Sequence, residues 1–249
     1  MRNRVKAMIR EGKTAIGIWI SIGHPDVTEI LSRVGFDFFM LDLEHGPLSI
    51  ETTQTLMMAM NGSDTVPMIR VAFNDPVLIK RALDIGAYGL LIPLINSKEE
   101  AINAVRYCKY PPEGIRGIAP RRAGRFDPKY VETANDEIMI IPQIETGQAV
   151  DNIDEILSVK GIDCIFIGPS DLSGSLGLIG QPDRLRHPKN LEAIERIREA
   201  ARRAKVPVAT TSSLYPAKKL MEQGYNMVLS GSDSGFLQRG AVELLKSLR

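Results

Sequence analysis

Cysteine is nearly absent: the 249 residues include two, Cys108 and Cys164, with no CxxC spacing. A disulfide framework and a thiolate zinc site are thereby excluded as organising principles. Cys164 lies inside the apolar run CIFIG and is expected to be a buried, inert thiol. A basic excess is missing too. The 31 Lys plus Arg are balanced by 30 Asp plus Glu, so nothing is left over to neutralise a phosphate backbone and no nucleic-acid partner is expected. No apolar stretch approaches the roughly 20 residues of a membrane span. The first residues, MRNRVKAMIREGK, are charged and amphipathic, unlike a cleavable leader. A soluble, cytoplasmic protein without a membrane partner is the expectation. Neither GxGxxG after the first apolar run nor GxxxxGK[ST] occurs, which removes support for dinucleotide and P-loop chemistry. No Gly/Ser-rich or Pro-rich linker divides the chain, so residues 1–249 are expected to form a single domain.

What is present is repetition. Eight short apolar runs recur, near Ala15 to Ser21, Phe38 to Asp42, Val66 to Arg70, Tyr88 to Pro93, Ile138 to Gln143, Cys164 to Gly168, Val206 to Thr210 and Met227 to Ser230. They are near-continuously hydrophobic rather than alternating, as parallel strands covered on both faces are. Between them, Pro76 to Ile85, Ser97 to Tyr107, Thr146 to Val159 and Asn190 to Lys205 show helical spacing of apolar residues. Gly35, Gly86, Gly161 and Gly224 each fall where such a helix stops before the next run, the usual place for a left-handed cap. Repeated βα units of this number predict an α/β fold closed as one (β/α)8 TIM barrel, with a six-stranded open sheet as the alternative. Two connections, Tyr110 to Asp127 and Ser173 to Pro188, are long enough to form rims or lids.

Chemistry in such a barrel sits at the C-terminal ends of the strands. The second run ends in LDLEHGP, with Asp42, Glu44 and His45; the third ends at Arg70; the fifth ends in PQIET, with Gln143 and Glu145; the sixth leads into Gly168, Pro169, Ser170 and Asp171. Lys13, Lys160 and Lys205 precede strands and belong to the opposite mouth. Glu145 and Asp171 come from adjacent strands, and two carboxylates with open positions suit a hard cation, Mg2+ or Mn2+, better than zinc. Ordinary solvated loop carboxylates are the other explanation. Gly168 and Pro169 open a helix start where backbone N–H groups face an anion. Arg70 closes an apolar strand and suits a planar anion, or else a structural ion pair with Asp42 or Glu44. His45 follows acidic residues that orient it for proton transfer, whereas His24 and His187 are expected at the surface. Arg116, Arg121, Arg122 and Arg125 are expected to be mostly solvated or interfacial, with an acidic ligand as the alternative. SGSDSG, Ser230 to Gly235, is either a phosphate turn or a helix cap. The strands contain no Lys, which excludes a Schiff-base amine and leaves a metal as the electrophile.

The segments GIWIS, FDFFMLDLEHGP, PMIRV, DIGAYGLLIPLINSKEEA, PPEGIRG, IPQIET and GPSDLSGSLG, in this order, resemble the HpcH/HpaI aldolase family from about Thr14 to Phe236. The resemblance implies a metal-dependent barrel of the pyruvate/phosphoenolpyruvate superfamily that cleaves 4-hydroxy-2-oxo acids reversibly to pyruvate and an aldehyde through a metal-bound enolate. It implies that Glu145 and Asp171 are metal ligands for Mg2+ or Mn2+, with Co2+ as an alternative. Gln143, Gly168, Pro169, Ser170 and Asp171 become substrate binders; Arg70 stabilises developing charge. His45 becomes the acid-base residue, with Asp42 beside it. An acid matching Asp84 raises the basicity of that His. Asp84 ends a helix at the wrong mouth of its own barrel, so this role implies a homo-oligomer, a hexamer built as a trimer of dimers, with Asp84 acting across a subunit interface. Ser170 stands where the family commonly has a small apolar residue. A 2-oxo acid decarboxylase or acyl-CoA lyase using the same site, and a non-catalytic 2-oxo acid binding protein, are the alternatives.

Overall fold

The computed structural model describes residues 2–249. Its eight strands are β1 (Ala15–Ile20), β2 (Phe38–Asp42), β3 (Val66–Arg70), β4 (Gly89–Ile92), β5 (Met139–Ile144), β6 (Ile165–Ile167), β7 (Val208–Thr211) and β8 (Met227–Ser232). Each pairs in parallel with the next, and β1 pairs with β8, so the sheet is a closed barrel in sequence order. The open six-stranded alternative is thereby excluded. The helices are α1 (Arg4–Arg10), α2 (Pro25–Ser32), α3 (Ile50–Ala59), α4 (Pro76–Asp84), α5 (Lys98–Cys108), α6 (Tyr130–Glu137), α7 (Gly147–Asp151), α8 (Ile153–Leu157), α9 (Pro169–Ser175), α10 (Pro188–Ala204), α11 (Ala217–Glu222) and α12 (Asp233–Ser247).

Alternation along each strand sorts the core into two layers. Phe38 and Met40 of β2, with Met68, Met139, Ile141, Phe166 and Leu229, fill the barrel interior, while Phe39 and Leu41 pack outward against helices. Both faces are dry, which is why the strands carry no polar alternation. At the N-terminal mouth, α1 places Val5 and Ile9 in the interior cluster. Lys6 of α1 is fastened there by Asp163 at 2.8 Å and the Ile138 carbonyl at 3.1 Å.

The helix stops fall where the glycines predict them, with φ of 109°, 106°, 101° and 86° at Gly35, Gly86, Gly161 and Gly224. Several local expectations change. The helix expected over Thr146 to Val159 is two helices, α7 and α8, separated at Asn152. His24 and His187 keep the surface positions expected of them and serve there as N-caps, each accepting a backbone N–H through Nδ1, from Asp26 and Lys189. Both stand before a proline at the first helical position, where an N–H would be unsatisfied anyway. Arg116 is not solvated: it is buried, pairs with Asp84 at 2.7 Å and lies over the Tyr110 ring at 4.4 Å. Arg122 donates to the Ile85 and Met57 carbonyls, tying the Tyr110 to Asp127 connection to the ends of α3 and α4. Both cysteines are buried. Burial pushes the Cys108 thiol up to about 12 and raises Cys164 as well, in keeping with inert thiols. Among the described residues, no helix is long and apolar enough to cross a membrane.

Candidate active site

Parallel register sets the site. Asp42 is the strand partner of Arg70 across β2 and β3, both at their C-terminal ends. Arg70 is buried and donates from Nε to Asp42 Oδ1 at 2.9 Å and from Nη2 to Asp42 Oδ2 at 2.6 Å. Glu44 lies 3.0 Å from Nη1, and the guanidinium rests 4.3 Å above the Trp19 ring. Of five N–H donors, two are hydrogen-bonded to Asp42; Nη1 is only ion-paired with Glu44, whose Oε2 has no hydrogen-bond partner, so three donors remain for an anion. The structural ion pair and the anion-binding role are therefore compatible: the carboxylates and the indole aim the fork that stays free. Asp42 Oδ1 also accepts the N–H groups of Glu44 and His45 at 3.1 and 3.2 Å. Burial works against the Asp42 charge, but Arg70 and these two N–H groups outweigh it and hold the carboxyl below its usual value.

Glu145 directly follows β5 and is buried. Its Oε1 accepts the Leu94 N–H at 2.9 Å and its Oε2 accepts from Gln143 Nε2. Burial, joined by the charge of Asp171, pushes Glu145 above its usual value against the pull of those two donors. Glu44 is raised by burial and by Glu145, with Arg70 opposing. Gly168 is needed for space: a Cβ there would lie 3.1 Å from both Cβ and Oε2 of Glu145 and 3.3 Å from Gln143 Nε2. Pro169 is the first residue of α9, and Asp171 is exposed in its first turn. Arg184 braces that turn by donating to the Ser170 carbonyl at 2.9 Å and to Ser173 Oγ at 2.8 Å.

Three carboxylates, Asp42, Glu44 and Glu145, thus feel a single guanidinium, and a fourth, Asp171, acts on Glu145. That guanidinium is already committed to two of them. Gln143 Oε1 is buried with no hydrogen-bond partner. A surplus of hard oxygen donors and an orphaned carbonyl oxygen fit a divalent cation. Among the described residues, no cluster of three or more His, Cys, Asp or Glu is arranged to hold a metal. Two carboxylates leaving the remaining positions to water and substrate oxygens match a Mg2+-type centre better than a closed zinc site.

The structure brings Asp42, Arg70, Gln143, Glu145, Gly168 and Asp171 to one mouth. The His45 ring is exposed beside Glu44 and makes no hydrogen bond or ion pair among the described residues. Asp84 does not meet His45 within the chain; its Oδ1 accepts from Arg116. Three residues escaped the sequence reading. Trp19, the sole tryptophan, was detectable as an aromatic at the rim end of a strand. Asp233 ties β8 to β1, accepting the N–H groups of Ser21 and Ile22 at 2.8 and 2.7 Å. With Ser232 capping α12, SGSDSG is a helix cap and a rim tie. Leu94 carried no local signal at all.

Comparison with known proteins agrees with this geometry. The HpcH/HpaI aldolase/citrate lyase pattern matches residues 15–239. The chain is 41% identical over 254 residues to the 5-keto-4-deoxy-D-glucarate aldolase of Escherichia fergusonii, covering 99% of this chain and 97% of that one. It is 40% identical to the 4-hydroxy-2-oxo-heptane-1,7-dioate aldolase of Salmonella typhimurium, covering 98% and 94%. A crystal structure of an HpcH/HpaI aldolase/citrate lyase family protein from Burkholderia cenocepacia superposes with a TM-score of 0.92 at 32% identity, covering 99% of each chain. Similarity of this extent spans nearly the whole chain, and the chain belongs to the HpcH/HpaI aldolase/citrate lyase family.

Proposed function

We propose that the protein is a divalent-metal-dependent aldolase, a carbon-carbon lyase that reversibly cleaves a 4-hydroxy-2-oxo acid to pyruvate and an aldehyde. The observation that carries the metal is buried Glu145, raised by burial and by Asp171, in a mouth whose single guanidinium is already engaged. Glu145 and Asp171 would hold Mg2+ or Mn2+, with Co2+ as an alternative. Such a cation supplies electrophilic stabilisation of the negative charge that develops on the 2-oxo oxygen.

The chain's own groups do the rest. The N–H donors of Arg70 that are not bonded to Asp42 meet the charge that grows as the C3–C4 bond breaks; preorganised donors of this kind typically lower a barrier by a few kcal/mol each. Gln143 and the first turn of α9, Gly168 to Asp171, receive the oxo acid, and Gly168 leaves the Glu145 and Gln143 side chains room beside it. His45, exposed at the rim, takes the proton of the 4-hydroxyl through a water and returns one to the pyruvate methyl on release.

The site is completed, in this reading, by a second copy of the chain. α12 buries only Asp233, leaving Leu237, Val242, Leu244, Leu245 and Leu248 exposed. An apolar face of that size suits a homo-oligomer, here a hexamer of three dimers, in which Asp84 reaches the partner's His45.

Glu145→Ala, or removal of metal by a chelator, is expected to abolish cleavage of 4-hydroxy-2-oxo acids while the thermal unfolding transition persists. Full turnover without metal rejects the scheme. The aldehyde is identified by screening pyruvate with a panel of aldehydes in the presence of Mg2+ or Mn2+.

A further inference from the structure

Leu94 has φ 55°, one of three non-glycine residues with positive φ among the described residues. The left-handed conformation is unfavourable for an L-residue, and leucine lacks the short polar side chain by which Asn or Asp offsets that cost. The other two occupy helix ends, Asp183 before a short 3-10 turn and Lys205 after α10. Leu94 lies instead between β4 and α5, at the catalytic mouth. Leu94 is 41% exposed, so apolar burial does not explain the conformation.

The backbone around it does. The Leu94 N–H points at Glu145 Oε1, 2.9 Å away. Ile95, fully buried, donates its N–H to the Gln143 carbonyl at 3.3 Å. Asn96 bonds the Leu94 carbonyl at 2.9 Å and also meets the Thr146 hydroxyl. The Asn96 carbonyl accepts from Asn152 at 2.8 Å, and its N–H is held by Glu100 at 2.6 Å. The loop is thus fastened to residues 143 and 146, on either side of Glu145. Strain that the surroundings over-determine in this way concentrates at functional sites.

We propose that Leu94 is a positioning residue whose left-handed backbone is held in place so that its N–H fixes the Glu145 carboxylate for the cation. The N–H occupies Oε1 and Gln143 occupies Oε2, so the carboxylate is pinned from both oxygens while keeping lone pairs for a metal. This rests on the assignment of Glu145 as a metal ligand. The backbone, not the side chain, carries the role, which reverses the usual ranking of substitutions. Polar Asn, which tolerates positive φ, replaces Leu94 successfully; apolar but β-branched Ile does not.

The test is Mn2+ titration of the metal-free, substrate-free full chain by electron paramagnetic resonance. Leu94→Asn and Leu94→Gly are expected to bind Mn2+ within about threefold of the wild type, and Leu94→Ile at least about tenfold more weakly, as when an outer partner of a metal ligand is lost. A folded Leu94→Ile with unchanged affinity overturns the proposal, as does loss of affinity in the Asn or Gly variant. If Leu94→Ile does not fold, the other two variants decide. A second readout needs no metal: hydrogen exchange of the Leu94 amide is expected to speed up about tenfold in Glu145→Ala. Unchanged exchange overturns the positioning role even if Mn2+ binds. Absence of Glu145-dependent Mn2+ binding in the wild type would instead remove the metal assignment, leaving the exchange measurement to decide this one.

Discussion

Asp42 accepts one edge of the Arg70 guanidinium, from Nε and Nη2, and with the same Oδ1 the N–H groups that shape the turn into His45. Replacing it therefore disturbs charge, aim and turn together. Asp42→Asn is expected to cost about 3 kcal/mol of stability, because a buried guanidinium loses its charged partner. It is expected to lower kcat by about 10²–10³-fold, the scale of losing one preorganised donor at a developing oxyanion. Urea unfolding and steady-state kinetics read the two effects. The pH dependence has a definite sign. The folded-state carboxyl of Asp42 is held below the usual aspartate value by Arg70 and the two turn N–H groups, against its burial. Its contribution is therefore fully present above that value and lost as pH falls through the lower folded value. The stability gap between wild type and Asp42→Asn should stay constant from neutral pH down to about 4 and close only in stronger acid.

At the scale of elements, the glycines before β2, β4, β6 and β8 were legible because a helix that must stop and turn back demands positive φ, which glycine adopts freely. The helix before β7 ends the same way but with Lys205, at φ 58°. No pattern announces that. Lys205→Gly is expected to stabilise the protein by about 0.5–1 kcal/mol, since removing the Cβ penalty outweighs the added chain entropy. For a chain of this length that corresponds to about 1–4 °C in calorimetry. A lower transition temperature would mean that the Lys205 side chain, not its backbone, matters. The division of the stretch after β5 into α7 and α8 was hidden for another reason. Its apolar spacing is helical throughout, and only the bond from Asn152 to the Asn96 carbonyl, across the β4–β5 rim, shows why the axis is interrupted there.

For the whole molecule, closure of the ring brings Asp233, at the start of α12, to Ser21 and Ile22 at the end of β1. The helix that presents the exposed apolar face is thus attached to the catalytic rim. The proposed pairing of Asp84 with a partner's His45 has a direct test by mixing. Asp84→Asn and His45→Ala are each expected to be inactive alone. Denatured together in equal amounts and refolded, half the subunits carry His45 and half of their neighbours carry Asp84. About a quarter of wild-type activity should then return in a symmetric oligomer. A mixture as inactive as its parts would confine Asp84 to its bond with Arg116.

The order of residues by itself determined the eight strands, the helix stops, the polar end of the barrel and the acids that gather there. Each is written in short-range patterns imposed by burial on two faces and by backbone sterics. Tertiary structure alone decided which way the polar groups turn. Arg116 goes inward to Asp84, Arg70 is pinned between Asp42, Glu44 and Trp19, and Leu94 is bent to meet Glu145. Those choices depend on partners far apart in sequence, whose distances exist only once the barrel has closed.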